Sequence, residues 1–257
     1  NWIDVPPKPG KRGGAFCAAV TPDHHPYVLL NYTGKARDVM TLAHELGHGI
    51  HDLMAANNHY LDYHPVLRLA ETASTFAELL VFEKVQESLE SDEERLVLLC
   101  EKLEDTFATV FRQISMFRFE RQLHDARRSQ GELTTESINE LWQTAMQEMF
   151  GNSLQLGDDH KWTWLYIPHI VNTPFYVYAY AFGELLVLAL YARYQQEGES
   201  FLPKYFELLA AGGSQEPAAL LNQLGFDIGS PAFWQGGCDL IRSNLEKAKR
   251  LADRQNS

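Results

Sequence analysis

Asp38-Val39-Met40-Thr41-Leu42-Ala43-His44-Glu45-Leu46-Gly47-His48-Gly49-Ile50-His51-Asp52-Leu53-Met54 is the stretch on which the reading of this chain turns. Its apolar residues recur at helical spacing, which predicts a helix from about Asp38 to Met54. Residues four apart on a helix lie above one another. His44 and His48 therefore point the same way, with Glu45 offset by about 100°. Two imidazoles on one face can bind a single metal ion. A neighbouring carboxylate can then take a proton from the water at that metal, the arrangement of a zinc hydrolase. Val39, Leu42, Leu46, Ile50 and Leu53 fall on the opposite side and are expected to face the core. His51 shares the ligand face one turn beyond His48 and is not expected to be a ligand.

A catalytic zinc site needs a third protein ligand and an open position. The metzincin continuation would need Gly and His where this chain has His51 and Met54, so that reading fails. Val66 to Leu80 reads as a second helix, with an apolar stripe of Leu69, Ala73, Phe76, Ala77 and Leu80. Glu71 and Glu78 lie seven apart on nearly one face of it. That spacing suits one ligand, assigned to Glu71, and one carboxylate that orients a ligating imidazole. Zinc is the default ion for such a donor set, although cobalt or manganese can also support it.

Farther on, Ile167-Pro168-His169-Ile170-Val171-Asn172-Thr173-Pro174-Phe175-Tyr176-Val177-Tyr178-Ala179-Tyr180 carries one His and three Tyr. Thr173 reads as an N-cap and Pro174 as the first residue of a helix to about Gln195. Tyr176 and Tyr180 would share a face of it, with Tyr178 pointing elsewhere. Neutral Tyr O–H groups and a His N–H are suitable donors to the oxyanion of peptide hydrolysis.

His44 to His51, followed by Leu69-Ala70-Glu71-Thr72-Ala73-Ser74-Thr75-Phe76, resembles the oligoendopeptidase F family, zinc oligopeptidases related to thimet oligopeptidase. Lys11 to Phe16, Tyr27 to Tyr32, and Pro168-His169 through Tyr180 to Glu184 fit the same family, so the resemblance spans about residues 1 to 240. It implies one zinc ion held by His44, His48 and Glu71, with Glu45 as general base. It also implies oxyanion stabilisation by His169 and a tyrosine, Tyr176 being the first choice, and substrate contacts from Tyr178 and Tyr180. The substrates implied are short peptides cleaved at internal bonds. The chain opens at Asn1 within what looks like a motif region. Relatives carry a large helical region before that point, so the expectation is a C-terminal catalytic part. Self-association is then expected through the face left by the missing N-terminal part.

The expected fold is mainly α: a zincin-like helical catalytic domain over 1–257, with a small β region near the N-terminus. Within it, 1–35 is a strand and loop region, 36–90 holds the zinc-binding helices, 91–150 is a helical subdomain and 160–252 completes the cleft. Tyr27 to Tyr32 reads as the strand, a candidate edge for an extended peptide. Helices are expected over Thr135–Phe150, Pro203–Ala211, Pro217–Leu224 and Ser230–Ala252, with loops at Gly151–His160 and Gly212-Gly213-Ser214 and a frayed tail from Arg250. His24, His25, His59, His64, His124 and His160 read as surface or loop residues.

Lys plus Arg number 22 against 34 Asp plus Glu, a net charge of −12. That balance disfavours nucleic acid and anionic membranes as partners. The most apolar run, Leu185 to Ala192, is too short to span a bilayer, and no stretch reads as a signal peptide. Cys17, Cys100 and Cys238 lack any C-x-x-C pairing and read as reduced thiols of a cytoplasmic protein. Two other readings stay open. One is a zinc carboxypeptidase of related helical fold, which would need a basic residue such as Arg68 for the substrate carboxylate. The other is a non-catalytic peptide-binding fragment, which would have no need of Glu45.

Overall fold

Val28 and Leu30 are buried while Tyr27 between Pro26 and Val28 is exposed, the two-residue alternation of a strand with one covered face. In the computed structural model, which describes residues 2–255, this segment forms β3 (Tyr27–Leu29). It lies between β1 (Ile3–Asp4) and β2 (Phe16–Ala18) in the order β1-β3-β2. β1 pairs parallel to β3 with Ile3 opposite Val28, and β2 pairs antiparallel with Cys17 opposite Val28. The expected strand is therefore central, and β1 and β2 form the two edges of the sheet.

The rest is helical: α1 (Ala36–Ala55), α2 (Tyr60–Tyr63), α3 (Leu67–Ala70), α4 (Thr72–Ser88), α5 (Asp92–Thr106), α6 (Gln113–Gln130), α7 (Thr135–Phe150), α8 (Pro168–Asn172), α9 (Tyr178–Glu197), α10 (Leu202–Ala210), α11 (Pro217–Gln223) and α12 (Pro231–Gln255). A π-helical turn spans Phe107–Arg112, and 3₁₀ turns span Asp158–Tyr166 and Gly198–Phe201. The mainly α architecture with a small N-terminal sheet is as expected. Among the described residues no helix is long and apolar enough to cross a membrane.

The chain divides into two compact units: one runs to Glu101 and resumes at Leu185, and the other is Lys102–Glu184. The core of the first gathers around Phe76, whose ring lies 4.4 Å from Tyr205 and 5.4 Å from Tyr191. Leu186, Leu190, Phe201, Leu209 and Leu220 are fully buried in it. The second unit packs Met116, Phe119, Trp142, Ala145, Met146, Ile167 and Val177 into its own core. Trp142 and Trp164 bury their rings there and donate their N–H groups to Thr163 Oγ1 and Asn139 Oδ1.

The packing of α1 differs from the expectation. Its buried residues are Ala43, Glu45, Gly47, Gly49, His51 and Ala55, whereas Leu46, Ile50 and Leu53 are 38%, 50% and 48% exposed. The cause is the close approach of α4. A Cβ added at Gly47 would lie 2.5 Å from the Ala73 carbonyl oxygen and 2.6 Å from Ser74 Cα. Only a residue without a side chain lets the two backbones meet there.

Three further segments depart from the sequence reading. The helix expected over Val66–Leu80 is broken at Glu71 (φ −88°, ψ 3°), which separates α3 from α4. The helix expected from Pro174 starts only at Tyr178, because Phe175 adopts φ 60°. The C-terminal helix runs on to Gln255 instead of fraying at Arg250; residues 256 and 257 lie outside the described part. The Gly212-Gly213 turn lies against the Asp62–His64 backbone. The Gly213 N–H donates to Asp62 O at 2.7 Å, and a Cβ at Gly213 would meet His64 O at 2.4 Å.

Candidate metal centre

α1 begins where Asp38 Oδ2 accepts the backbone N–H groups of Lys35 and Thr33, fixing the first turn. Two turns on, His44 and His48 stack edge-on, 4.7 Å between ring centroids. Their Nε2 atoms face one another at 3.1 Å. Glu71, at the break between α3 and α4, places Oε2 at 3.3 Å from each. At this break Ser74 Oγ donates to Glu71 Oε2 at 2.8 Å and anchors the carboxylate.

These three donors fit a metal ion. Ligands 2.0–2.1 Å from a central ion at tetrahedral angles stand about 3.3 Å apart, close to the triangle just described. The protonation chemistry agrees. His44 Nδ1 forms a short hydrogen bond to Glu78 Oε1. A neutral His44 that donates there presents a bare lone pair at Nε2. Two imidazole nitrogens and a carboxylate oxygen converge here in a donor set that suits a cation. Among the described residues this is the cluster of His, Cys, Asp or Glu groups whose ligand atoms all lie within 4.8 Å.

The surrounding charges are tuned by the same contacts. The hydrogen bond from His48 holds Glu71 down to about 2, with Ser74 and His44 helping against burial. Burial alone would lower the pKa of His44, but the hydrogen bond and charge of Glu78, with Glu71 and Glu45, outweigh it and raise the value. Glu45 is buried, and desolvation pushes its pKa up against the pull of His44, His48 and the Cys17 backbone N–H it accepts. The edge strand β2 thus touches the carboxylate directly. The Cys17 thiol, raised to about 12 by burial and Asp52, contacts Asp52 Oδ2 at 3.6 Å.

Beside His48 lies a cavity of about 280 Å³, with Cys17 and Ala18 of β2 on one wall and His51, Asp52, His64 and Pro65 on the other. His64 is, as expected, a surface residue outside the helices, exposed in the bend after α2, and its backbone carbonyl lies against the Gly212-Gly213 turn. His51 is buried and also lines this cavity, without joining the donor triangle.

His169, Tyr176, Tyr178 and Tyr180 belong to the second unit. There His169 and Tyr176 stack nearly parallel, 6.1 Å apart, and Tyr180 stands edge-on to both. Tyr180 Oη lies 3.3 Å from His169 Nε2. Tyr178 instead packs its ring 5.5 Å from Phe117. Sequence spacing put Tyr176 and Tyr180 on one helical face. In the structure Tyr176 precedes α9, and it is the turn at Phe175 that brings it to Tyr180.

Known proteins share this arrangement of chain and fold. Residues 1–240 match peptidase family M3. The chain is 31% identical to oligopeptidase PepF of Bacillus subtilis over 98% of its length and 37% of the relative's. It is also 31% identical to an oligoendopeptidase F homolog of Borreliella burgdorferi, over 98% of this chain and 42% of that one. A crystal structure of an Enterococcus faecium oligoendopeptidase-F superposes with a TM-score of 0.73 at 25% identity, covering 86% of this chain and 41% of that chain. The crystal structure of a Chlamydophila abortus protein described only as a peptidase superposes with a TM-score of 0.91 at 31% identity, covering 97% of this chain and 42% of that chain. The chain thus spans about two fifths of the length of the curated relatives it matches.

Proposed function

The chain belongs to peptidase family M3, and from that premise we propose that it is a zinc metallopeptidase domain hydrolysing internal bonds of short peptides. The observation that carries this reading is a buried Glu45 next to three converging ligand atoms of His44, His48 and Glu71. Those three residues would hold one zinc ion, which when bound supplies Lewis acidity toward the scissile carbonyl and the attacking water.

The chain's own residues do the rest. Glu45, its basicity raised by burial, accepts the proton of the attacking water and delivers it to the leaving amine. The Cys17 amide holds that carboxylate in place. Glu78 fixes the tautomer and orientation of His44 through Nδ1. The free edge of β2 offers main-chain hydrogen bonds to an extended peptide, in the manner of strand addition. On the family resemblance, His169 and Tyr176 donate to the oxyanion, and Tyr178 and Tyr180 hold substrate. Three free cysteines fit action in the reducing cytoplasm.

The test compares the zinc-loaded chain with Glu45→Gln on a quenched-fluorescence peptide of about ten residues, a change expected to cost about 10² to 10⁴ in rate. Product masses should show internal cleavage that a chelator abolishes. Full activity in Glu45→Gln would overturn its role. Release of single C-terminal residues would point to a carboxypeptidase, and peptide binding without turnover to a binding fragment.

A further inference from the structure

Glu120 of α6 is 1% exposed, the buried carboxyl of the second unit among the described residues, and the reaction outlined above makes no use of it. Burying such a group is unfavourable unless a donor meets it. Its partner is a backbone group: the Phe175 N–H donates to Glu120 Oε1 at 2.7 Å. Phe175 is in turn the one non-glycine among the described residues with a positive φ, at 60°. Aromatic residues rarely enter that region, because the Cβ crowds the backbone. Two unfavourable features, a buried carboxyl group and a left-handed phenylalanine, thus meet at one hydrogen bond.

The turn they form has a geometric consequence within the unit. α8 ends at Asn172, and the Thr173 N–H closes back on His169 O at 3.0 Å. The chain then reverses through Pro174 and Phe175, and the Tyr176 N–H donates to Thr173 O. This reversal carries Tyr176 and Tyr180 back over His169. The Phe175 ring is held from the side by His124 at 4.7 Å and Phe117 at 6.4 Å. A helix continuing from Pro174, the conformation that the local sequence favours, would not make this reversal.

We propose that Glu120 is a positioning residue, which by clamping the Phe175 amide in a left-handed turn sets His169, Tyr176 and Tyr180 into one cluster. Its bearing on the reaction rests on the reading of that cluster as oxyanion and substrate contacts; the structural half stands without it. An apolar residue would suit the core at position 120 but would leave the Phe175 N–H without an acceptor. The turn would then relax toward ordinary φ values.

The experiment uses the full zinc-loaded chain. Ring resonances of His169, Tyr176 and Tyr180 are followed by NMR, with kcat and KM on the same peptide. Glu120→Ala is expected to move the three sets of ring resonances toward free-residue positions and to lower kcat about tenfold to a hundredfold, as a displacement near 1 Å would. KM should rise by less than kcat falls, since two of the three side chains are read as transition-state contacts and only Tyr180 as a ground-state one. Glu120→Gln keeps an acceptor oxygen and should restore both readouts. Phe175→Gly added to Glu120→Ala should recover part of the loss, because glycine takes a positive φ without a Cβ penalty. Unchanged ring resonances in Glu120→Ala, or equal damage in the Ala and Gln variants, would overturn the proposal. If His169→Ala and Tyr176→Phe leave kcat intact, the oxyanion reading fails and the role of Glu120 in the reaction falls with it. If those two lower kcat and Glu120→Ala does not, only the positioning role is overturned.

Discussion

His51 shows how much a single buried side chain can set. It is 3% exposed, and burial with the nearby His48 drives its pKa down to about 4. The folded protein therefore keeps it neutral, while the unfolded chain protonates it near the ordinary histidine value. As pH falls through that interval the unfolded state gains a proton that the fold refuses. The metal-free chain should lose up to about 3 kcal/mol of stability between about pH 6.5 and 4 from this group alone. Urea midpoints of wild type and His51→Leu at the two ends of the window would measure it; parallel losses in both proteins would rule the effect out. Carboxylates such as Glu71 contribute their own acid sensitivity lower on the pH scale, and a difference between the two proteins removes it. At this scale the sequence was legible where chemistry is local. His44, Glu45 and His48 are fixed by helical spacing, and Glu71 and Glu78 follow within one element's length. Glu120 and Phe175 are 55 positions apart, and no local pattern links a mid-helix Glu to a distant backbone amide.

Between elements, the governing contact is α1 against α4. Most helices and their limits follow from apolar periodicity and capping; α7 occupies Thr135–Phe150, the interval expected for it, with Thr134 capping it by accepting the Ser137 N–H. Periodicity is ambiguous about which face is covered. In α1 the large aliphatics formed the more obvious stripe, yet the small residues face the neighbour because α4 comes too close for anything larger. Gly47 stands between His44 and His48, and Ala73 and Ser74 follow closely on Glu71, so this one crossing sets how far the two imidazoles lie from the Glu71 carboxylate. Gly47→Ala should therefore cost about 1 to 3 kcal/mol in stability, as overpacking does. It should also weaken zinc binding, because the added methyl pushes His44 and His48 away from Glu71. Thermal unfolding of the metal-free chain and a zinc titration would report both. Normal zinc affinity in a destabilised variant would show that the crossing does not control the donor triangle.

For the molecule as a whole, charge and exposed apolar surface pull in opposite directions. Leu46, Ile50 and Leu53 leave one side of α1 open, beside a cavity of about 220 Å³ walled by Ile50, Phe76, Leu80, Tyr205 and Phe206. A net charge of −12 repels a second copy at long range. Self-association through this face should therefore strengthen as salt rises, since the Debye length shortens to about 3 Å at 1 M while apolar attraction persists. Sedimentation at low and high salt would show it, and Ile50→Glu with Leu53→Glu should abolish the dependence; a monomer in every condition would exclude association. The division into two units has a different consequence, which concerns synthesis. The unit that carries His44, His48 and Glu71 is written in two instalments, with Lys102–Glu184 between them. At translation speeds of about 5–20 residues per second, the ribosome spends on the order of ten seconds on that interval. During that time Phe76 has emerged, but Tyr191, Phe201 and Tyr205, which surround it in the finished core, do not yet exist. The nascent chain thus holds His44, His48 and Glu71 before it holds the scaffold that fixes them, and the second instalment decides when the first can close around its core.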